Sequence, residues 1–253
     1  MSRKKAALCI RGGLSKSSGR FLHAGDLYND TTKYIKYTSV YKSILKHIIQ
    51  ANPEYDVDVF IHCWNEDVQD NIISLYNPVK YLFENNNKYT DEITSLCSNR
   101  DDFGGISHSL SIRKVLELQE EYSNANNIQY DIVVLFRPDV LIWKDMIFSK
   151  YDLNYFYVDG HGDNQGEFYF IMSHARASVF KDLYWSATYN KYAVHSWIKN
   201  YIINYCKFPM KDDDILPGKH IEVFRKIRDY SLNTGHIDYE KLGIYDISQD
   251  DIL

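Results

Sequence analysis

At 253 residues the chain is long enough to bury a sizeable core. Its net charge of −5, from 29 basic and 34 acidic side chains well interspersed, argues against a general nucleic-acid binder. The first apolar run, Ala6 to Ile10, is too short for a signal segment or a membrane span, so a cytoplasmic protein with no integral span is expected. Four cysteines, Cys9, Cys63, Cys97 and Cys206, are scattered without a CxxC pair, which fits reduced thiols better than a disulfide framework or a zinc site.

After a basic lead-in at Ser2–Lys5, Ala6–Ile10 predicts the first strand, broken by Arg11-Gly12-Gly13 and followed by a polar loop to Arg20. Helical periodicity runs from Tyr34 to Gln50, with Tyr41, Ile44, Leu45 and Ile48 on one side, and Asn52-Pro53 ends it. Val57–His62 predicts a second strand, Asp67–Leu75 a short helix and Val79–Phe83 a third strand. The polar, Asn-rich stretch from Glu84 to Gly105 is expected to be a mobile excursion, and Ser107–Asn124 a helix. Ile132–Phe136 is unbroken apolar sequence, as in a strand buried on both faces of a parallel sheet. Tyr155–Val158 and Phe168–Met172 predict further strands, Ala175–Ala187 and Val194–Cys206 helices, and Ile221–Phe224 a last strand. Strands alternating with helices predict an α/β fold with a mixed, mainly parallel sheet flanked by helices.

The most informative stretch is Asp131–Trp143, where the buried strand runs straight into Arg137-Pro138-Asp139. Charges at the carboxyl end of such a strand are costly unless paired, hydrated or used, and ligands of open α/β sheets bind at that end. An acid there, Asp139, can hold Mn2+ or Mg2+, and the cation can neutralise a diphosphate. Arg137 stands where a second carboxylate would make a DxD pair, and can itself neutralise the diphosphate; the alternative is an arginine–aspartate pair that only terminates the strand. The loop Arg11–Arg20 can cradle phosphate through Gly12 and Gly13, with Arg11, Lys16 and Arg20 adding charge. It matches neither GxGxxG nor the P-loop spacing, which counts against a dinucleotide enzyme and a P-loop kinase. In the glycine-rich stretch Asp159–Glu167, with His161 and Asp163, a carboxylate can act as general base; Glu167 leads because it opens a strand. Arg113 and Lys114 on the helix before the Asp139 strand are candidates for phosphate contact, against the alternative of a solvated face. His195, Trp197 and His220 carry little specificity, and Asp212-Asp213-Asp214 reads as a solvated loop.

Taken in order, AALCIRGG at 6–13, DVFIHCWN at 58–65, YDIVVLFRPDVLIW at 130–143 and GEFYFIMS at 166–173 resemble the GT-A class of nucleotide-sugar glycosyltransferases. The likeness is strongest to surface-glycan enzymes of bacteria and large DNA viruses, and it covers roughly the first 190 residues. It implies a GT-A-like (Rossmann-like) fold in one domain over residues 1–253. Residues 1–145 would form the nucleotide-sugar half, and 146–253 the acceptor half with a C-terminal extension. Arg11 and Gly12 would meet the nucleoside, Asp139 the metal–diphosphate, and Glu167 the acceptor or its proton. The expected activity is sugar transfer from a nucleoside-diphosphate donor to a glycan hydroxyl, in the host cytoplasm were the chain viral. Inversion is the expected stereochemistry, with Asp163 or Glu167 as base. Arg137 in place of the first DxD acid puts strict metal dependence in doubt.

Two alternatives stand beside it. The loop RGGLSKSSGR also suits a sulfo- or phosphoryl-transferase with an adenosine-phosphate donor, which would need no cation and little from Asp139. A non-catalytic carbohydrate- or protein-binding module would bind no nucleotide at all.

Overall fold

The computed structural model describes residues 3–14, 37–97, 102–159, 167–187, 194–216 and 221–223. Nine strands are described. They are β1 (Lys4–Gly12), β2 (Tyr55–Cys63), β3 (Lys80–Phe83), β4 (Ile132–Phe136), β5 (Val140–Ile142), β6 (Phe156–Val158), β7 (Tyr169–Met172), β8 (Met210–Asp212) and β9 (Ile221–Val223). Seven form one sheet in the order β3-β2-β1-β4-β7-β6-β8. The pairs β2–β3, β1–β2, β1–β4 and β6–β8 are parallel, and β7 runs antiparallel to both β4 and β6. The protein is thus α/β with a mixed, mainly parallel sheet flanked by helices.

The helices follow from where the strands need covering. α1 (Tyr37–Ile44) continues as a π turn over Leu45–Ile49, and with α2 (Gln69–Tyr76) it packs one face. Ala6, Leu8 and Ile10 of β1 meet Val40, Ile44 and Ile72 there. The opposite face takes α4 (Asp102–Asn126), whose Ile112, Val115 and Leu116 pack on Ala7, Cys9, Val133 and Leu135. α3 (Thr90–Leu96), α5 (His174–Phe180), α6 (Leu183–Ala187) and α7 (Val194–Asn200) complete the helices. All five residues of β4 are fully buried, as expected of a strand covered on both sides. No described helix is long and apolar enough to cross a membrane.

Two expectations change, and a second, two-stranded sheet is added. The stretch after Glu84 is not an excursion over its described part: a 3-10 turn at Asn86–Tyr89 and α3 fill residues 86–96, and α4 begins at Asp102 rather than Ser107. The cause is Glu84 itself, buried at the end of β3. Its carboxylate meets His62 Nε2 at 3.2 Å, accepts from the Tyr89 hydroxyl at 2.8 Å, and lies 3.8 Å from Lys114 Nζ. The residues after Asp139 form β5, which pairs antiparallel with β9, while Ser43 of α1 hydrogen-bonds both the amide and the carbonyl of Ile142. Asp213 is not solvated as the acidic run suggested. It is 2% exposed, and four groups donate to its carboxylate: the Tyr151 and Tyr169 hydroxyls at 2.7 and 2.6 Å, and the amides of Ile215 and Leu216 at 2.8 and 3.2 Å. Asp212 and Asp214 on either side are exposed, so only the middle acid of the three turns inward.

Candidate active site

Strand register gathers the charged residues. β1 and β4 run parallel with Ile10 level with Phe136, so Arg11 and Arg137 leave the sheet at the same height. Period-two alternation puts both after residues facing α4, Ala7 and Cys9 in one strand, Val133 and Leu135 in the other. β7 enters antiparallel with Tyr169 opposite Phe136, which delivers Glu167 and Phe168 to the same corner. β6 ends one residue before Asp159, which accepts a hydrogen bond from the Phe168 amide at 2.6 Å. The Arg137 amide in turn donates to the Phe168 carbonyl at 3.1 Å. Four chain segments therefore meet at the carboxyl edge of the central strands.

Arg137 makes a two-pronged contact with Asp139: Nε to Oδ1 at 2.8 Å and Nη2 to Oδ2 at 2.6 Å, with both residues buried. Its remaining nitrogen, Nη1, lies 3.4 Å from Glu167 Oε1, and the guanidinium sits over the Phe168 ring. Burial alone would lower the Arg137 pKa, but the charge and hydrogen bonds of Asp139, helped by Glu167, hold it above the ordinary arginine value. Arg11 is in a different state. It is 2% exposed and donates from Nη2 to the Glu167 carbonyl at 2.8 Å, while its Nε is buried with no hydrogen-bond partner among the described residues. Burial, then the like charge of Arg137, pull its pKa down to about 9, although Glu167, Asp139 and Asp159 oppose the fall.

Gly12 has φ +131°, a conformation that side chains resist, and a Cβ there would lie 3.3 Å from Pro138 Cδ. The glycine is what lets β1 pass close to the Arg137-Pro138-Asp139 turn. The chain beyond it is held to the end of β2: the Trp64 amide donates to the Gly12 carbonyl, and the Leu14 amide donates to Asn65 Oδ1 at 2.8 Å. An apolar pocket opens beside this turn on the α1 and α2 side, lined by Ile10, Leu14, Tyr37, Ile61, Tyr76 and Pro138.

Of the residues singled out from sequence, Arg11, Gly12, Gly13, Arg137, Asp139 and Glu167 come together. Arg113 does not join them. It lies midway along α4, donates to Glu117 one turn on at 2.7 Å, and stacks on Trp185 with its guanidinium carbon 4.3 Å from the ring centre. Lys114 belongs to the Glu84 network, and Trp197 to the core under α4. Asp163, His161, Lys16, Arg20, His220 and the side chain of His195 lie outside the described residues. Asp159 carries no signal of its own in the sequence, where it is one acid of a glycine-rich stretch; only the pairing of β6 with β7 reveals that it holds the Phe168 amide. Burial pushes the Cys9 and Cys63 thiols well up, so neither is a poised nucleophile.

As placed, these residues do not fit Mn2+ or Mg2+. A hard cation needs several oxygen ligands, whereas both oxygens of Asp139 accept from Arg137, and a second guanidinium lies nearby. Among the described residues no three acidic, histidine or cysteine side chains form a set able to hold a metal.

The sequence matches no protein-family profile and no curated protein. Solved structures with a similar chain course include a cytidylyltransferase from Leptospira borgpetersenii serovar Hardjo-bovis, at 14% identity over 94% of this chain and 88% of that one, TM-score 0.46. Others are mouse xyloside xylosyltransferase 1 in its apo form (5%; 84% and 85%; TM-score 0.41) and a glycosyltransferase involved in the glycosylation of the major capsid of PBCV-1 (11%; 83% and 82%; TM-score 0.36). At these scores the likeness assigns no chemistry to any residue.

Proposed function

We propose that the chain is a transferase that moves a sugar from a nucleoside-diphosphate donor to a glycan hydroxyl. The observation that carries this is the convergence of two buried guanidiniums, Arg11 and Arg137, with the Glu167 carboxylate at the carboxyl edge of β1 and β4. The donor lies across that edge, its nucleoside toward Gly12 and its diphosphate toward the guanidiniums. The acceptor oxygen attacks the anomeric carbon as the bond to the diphosphate breaks, and the electron pair of that bond leaves with the diphosphate. Fixed positive charge at the departing oxygens stabilises the developing anion. Glu167, on the rim of the cluster, takes the hydroxyl proton, and inversion follows from attack opposite the leaving group. Asp163, four positions before Glu167 in the sequence, is the second candidate for that proton.

The experiment that tests it is thermal stabilisation by UDP, GDP, CMP and adenosine 3′,5′-bisphosphate. One nucleoside diphosphate should raise the melting temperature while the bisphosphate does not. A shift with the bisphosphate alone would replace sugar transfer by sulfo- or phosphoryl transfer, and no shift at all would favour a binding module. Once a donor is known, Glu167→Gln should cut turnover by about 10²- to 10⁴-fold with donor affinity little changed. Near-normal turnover would remove Glu167 from the role of base.

A further inference from the structure

We propose that the diphosphate is neutralised by Arg11 and Arg137 without a divalent cation, and that Asp139 is the internal counter-ion of Arg137 rather than a metal ligand. This rests on the nucleoside-diphosphate reading of the site. Three observations carry it.

The first is the geometry of the pair. Nε and Nη2 of Arg137 meet the two oxygens of Asp139 at 2.8 and 2.6 Å, a fork-to-fork contact that fixes the guanidinium plane. A cation placed on Asp139 would have to displace a buried guanidinium, which would then lose its strongest partner in a site too dry to replace it. The second is the surplus of donors. After its contacts with Asp139 and Glu167, each Arg137 Nη nitrogen still has a second N–H. Arg11 has given one bond from Nη2, and its Nε has no partner among the described residues. A buried donor without an acceptor is costly in the ligand-free protein and is relieved by an anion. The third is that Arg11 is both buried and set beside a like charge: burial first, and then the repulsion of Arg137, hold it below the ordinary arginine value. Bound diphosphate, carrying two or more negative charges between them, reverses that penalty, as a metal ion there would not. The carboxylates of Asp139, Asp159 and Glu167 outnumber the guanidiniums and set the affinity by opposing the ligand.

The two roles for Asp139 predict opposite signs. If it were a metal ligand, removing its charge would weaken diphosphate binding. As a counter-ion it competes with the diphosphate for Arg137, so removing its charge strengthens binding. The test is calorimetric titration of the full chain with inorganic pyrophosphate and with UDP and GDP, in EDTA and in manganese, beside a titration with manganese alone. Pyrophosphate should bind in EDTA, manganese should not improve the binding, and Arg11→Gln should lose at least tenfold. Asp139→Asn should gain about three- to tenfold in EDTA. Pyrophosphate binding that requires manganese, or is absent in both conditions, would overturn the proposal, as would a loss of affinity in folded Asp139→Asn. If that variant does not fold, the wild-type comparison between EDTA and manganese still decides. Pyrophosphate bound in EDTA with no preference for any nucleoside diphosphate would leave this inference standing and remove the sugar-nucleotide reading instead.

Discussion

Two buried acidic clusters lie at the same edge of the sheet, one around Asp213 and the other around Asp139, and they are finished in opposite ways. Asp213 accepts four hydrogen bonds, two from phenols and two from backbone amides, and both phenols are held above their ordinary pKa by burial and by its charge. It binds β7, β8 and the start of the tail into one unit and offers nothing to a ligand. The Asp139 cluster has two guanidiniums, one of them with an Nε unanswered among the described residues, and a glycine at positive φ lets its two turns approach closely. A buried polar group satisfied from within maintains the fold, whereas one left with donors to spare is arranged for something that arrives later.

Asp213→Ala should break the closed cluster alone. It strips acceptors from two buried hydroxyls and two amides, at a cost of about 3–5 kcal/mol in urea unfolding. The affinity of the folded fraction for the stabilising nucleotide should not change. A loss of affinity larger than the loss of folded protein would show that the two clusters are coupled through Tyr169. Gly12→Ala should strike the open cluster with a smaller stability cost, about 1–3 kcal/mol, because the alanine must adopt φ +131° with its Cβ against Pro138. Unlike Asp213→Ala it should also weaken nucleotide binding, since relief of that contact moves the turn carrying Arg137 and Asp139. Full affinity in a destabilised Gly12→Ala would mean that the close approach serves packing only.

The sequence carried much of this architecture because its strands are apolar runs with clear ends. Ile132–Phe136 shows burial on both faces in its composition alone, and the helix before it in sequence order is placed by the need to cover the sheet. Arg11, Arg137, Asp139 and Glu167 were visible for a related reason: each is a charge set at the border of an apolar strand. Their partners were not visible, because pairing depends on register between segments far apart in the chain. RPD alone leaves two readings open, an Arg137–Asp139 pair or an acid kept for a cation, and the two-pronged contact decides for the pair. Arg113 misled because a helix that precedes a strand passes its whole length along the sheet, and only its first turns reach the ligand edge. Asp213 misled because three consecutive acids look alike until two tyrosines from other elements select one of them.

The smallest effect concerns the other satisfied carboxylate, Glu84. Burial pushes its pKa up, but hydrogen bonds from His62 and Tyr89 and the charge of Lys114 outweigh that and leave it at about 2, from an ordinary value of 4.5. A carboxyl with a depressed folded pKa binds fewer protons folded than unfolded between those two values. Its contribution is therefore whole above pH 4.5 and is lost as the pH falls through about 2. His62 acts in a separate, higher window: burial holds it below 6.5 despite Glu84, so the unfolded chain takes up that proton first and stability begins to fall below pH 6.5. Glu84→Gln should cost about 1–2 kcal/mol at pH 7, the loss of charge-assisted hydrogen bonds offset by those the amide keeps. Urea unfolding of wild type and variant across pH 7 to 2 should give curves that separate at neutral pH and converge as the acid limit is approached. Parallel curves would mean that the Glu84 charge contributes nothing, and that the residues after β3 are held to α4 by packing alone.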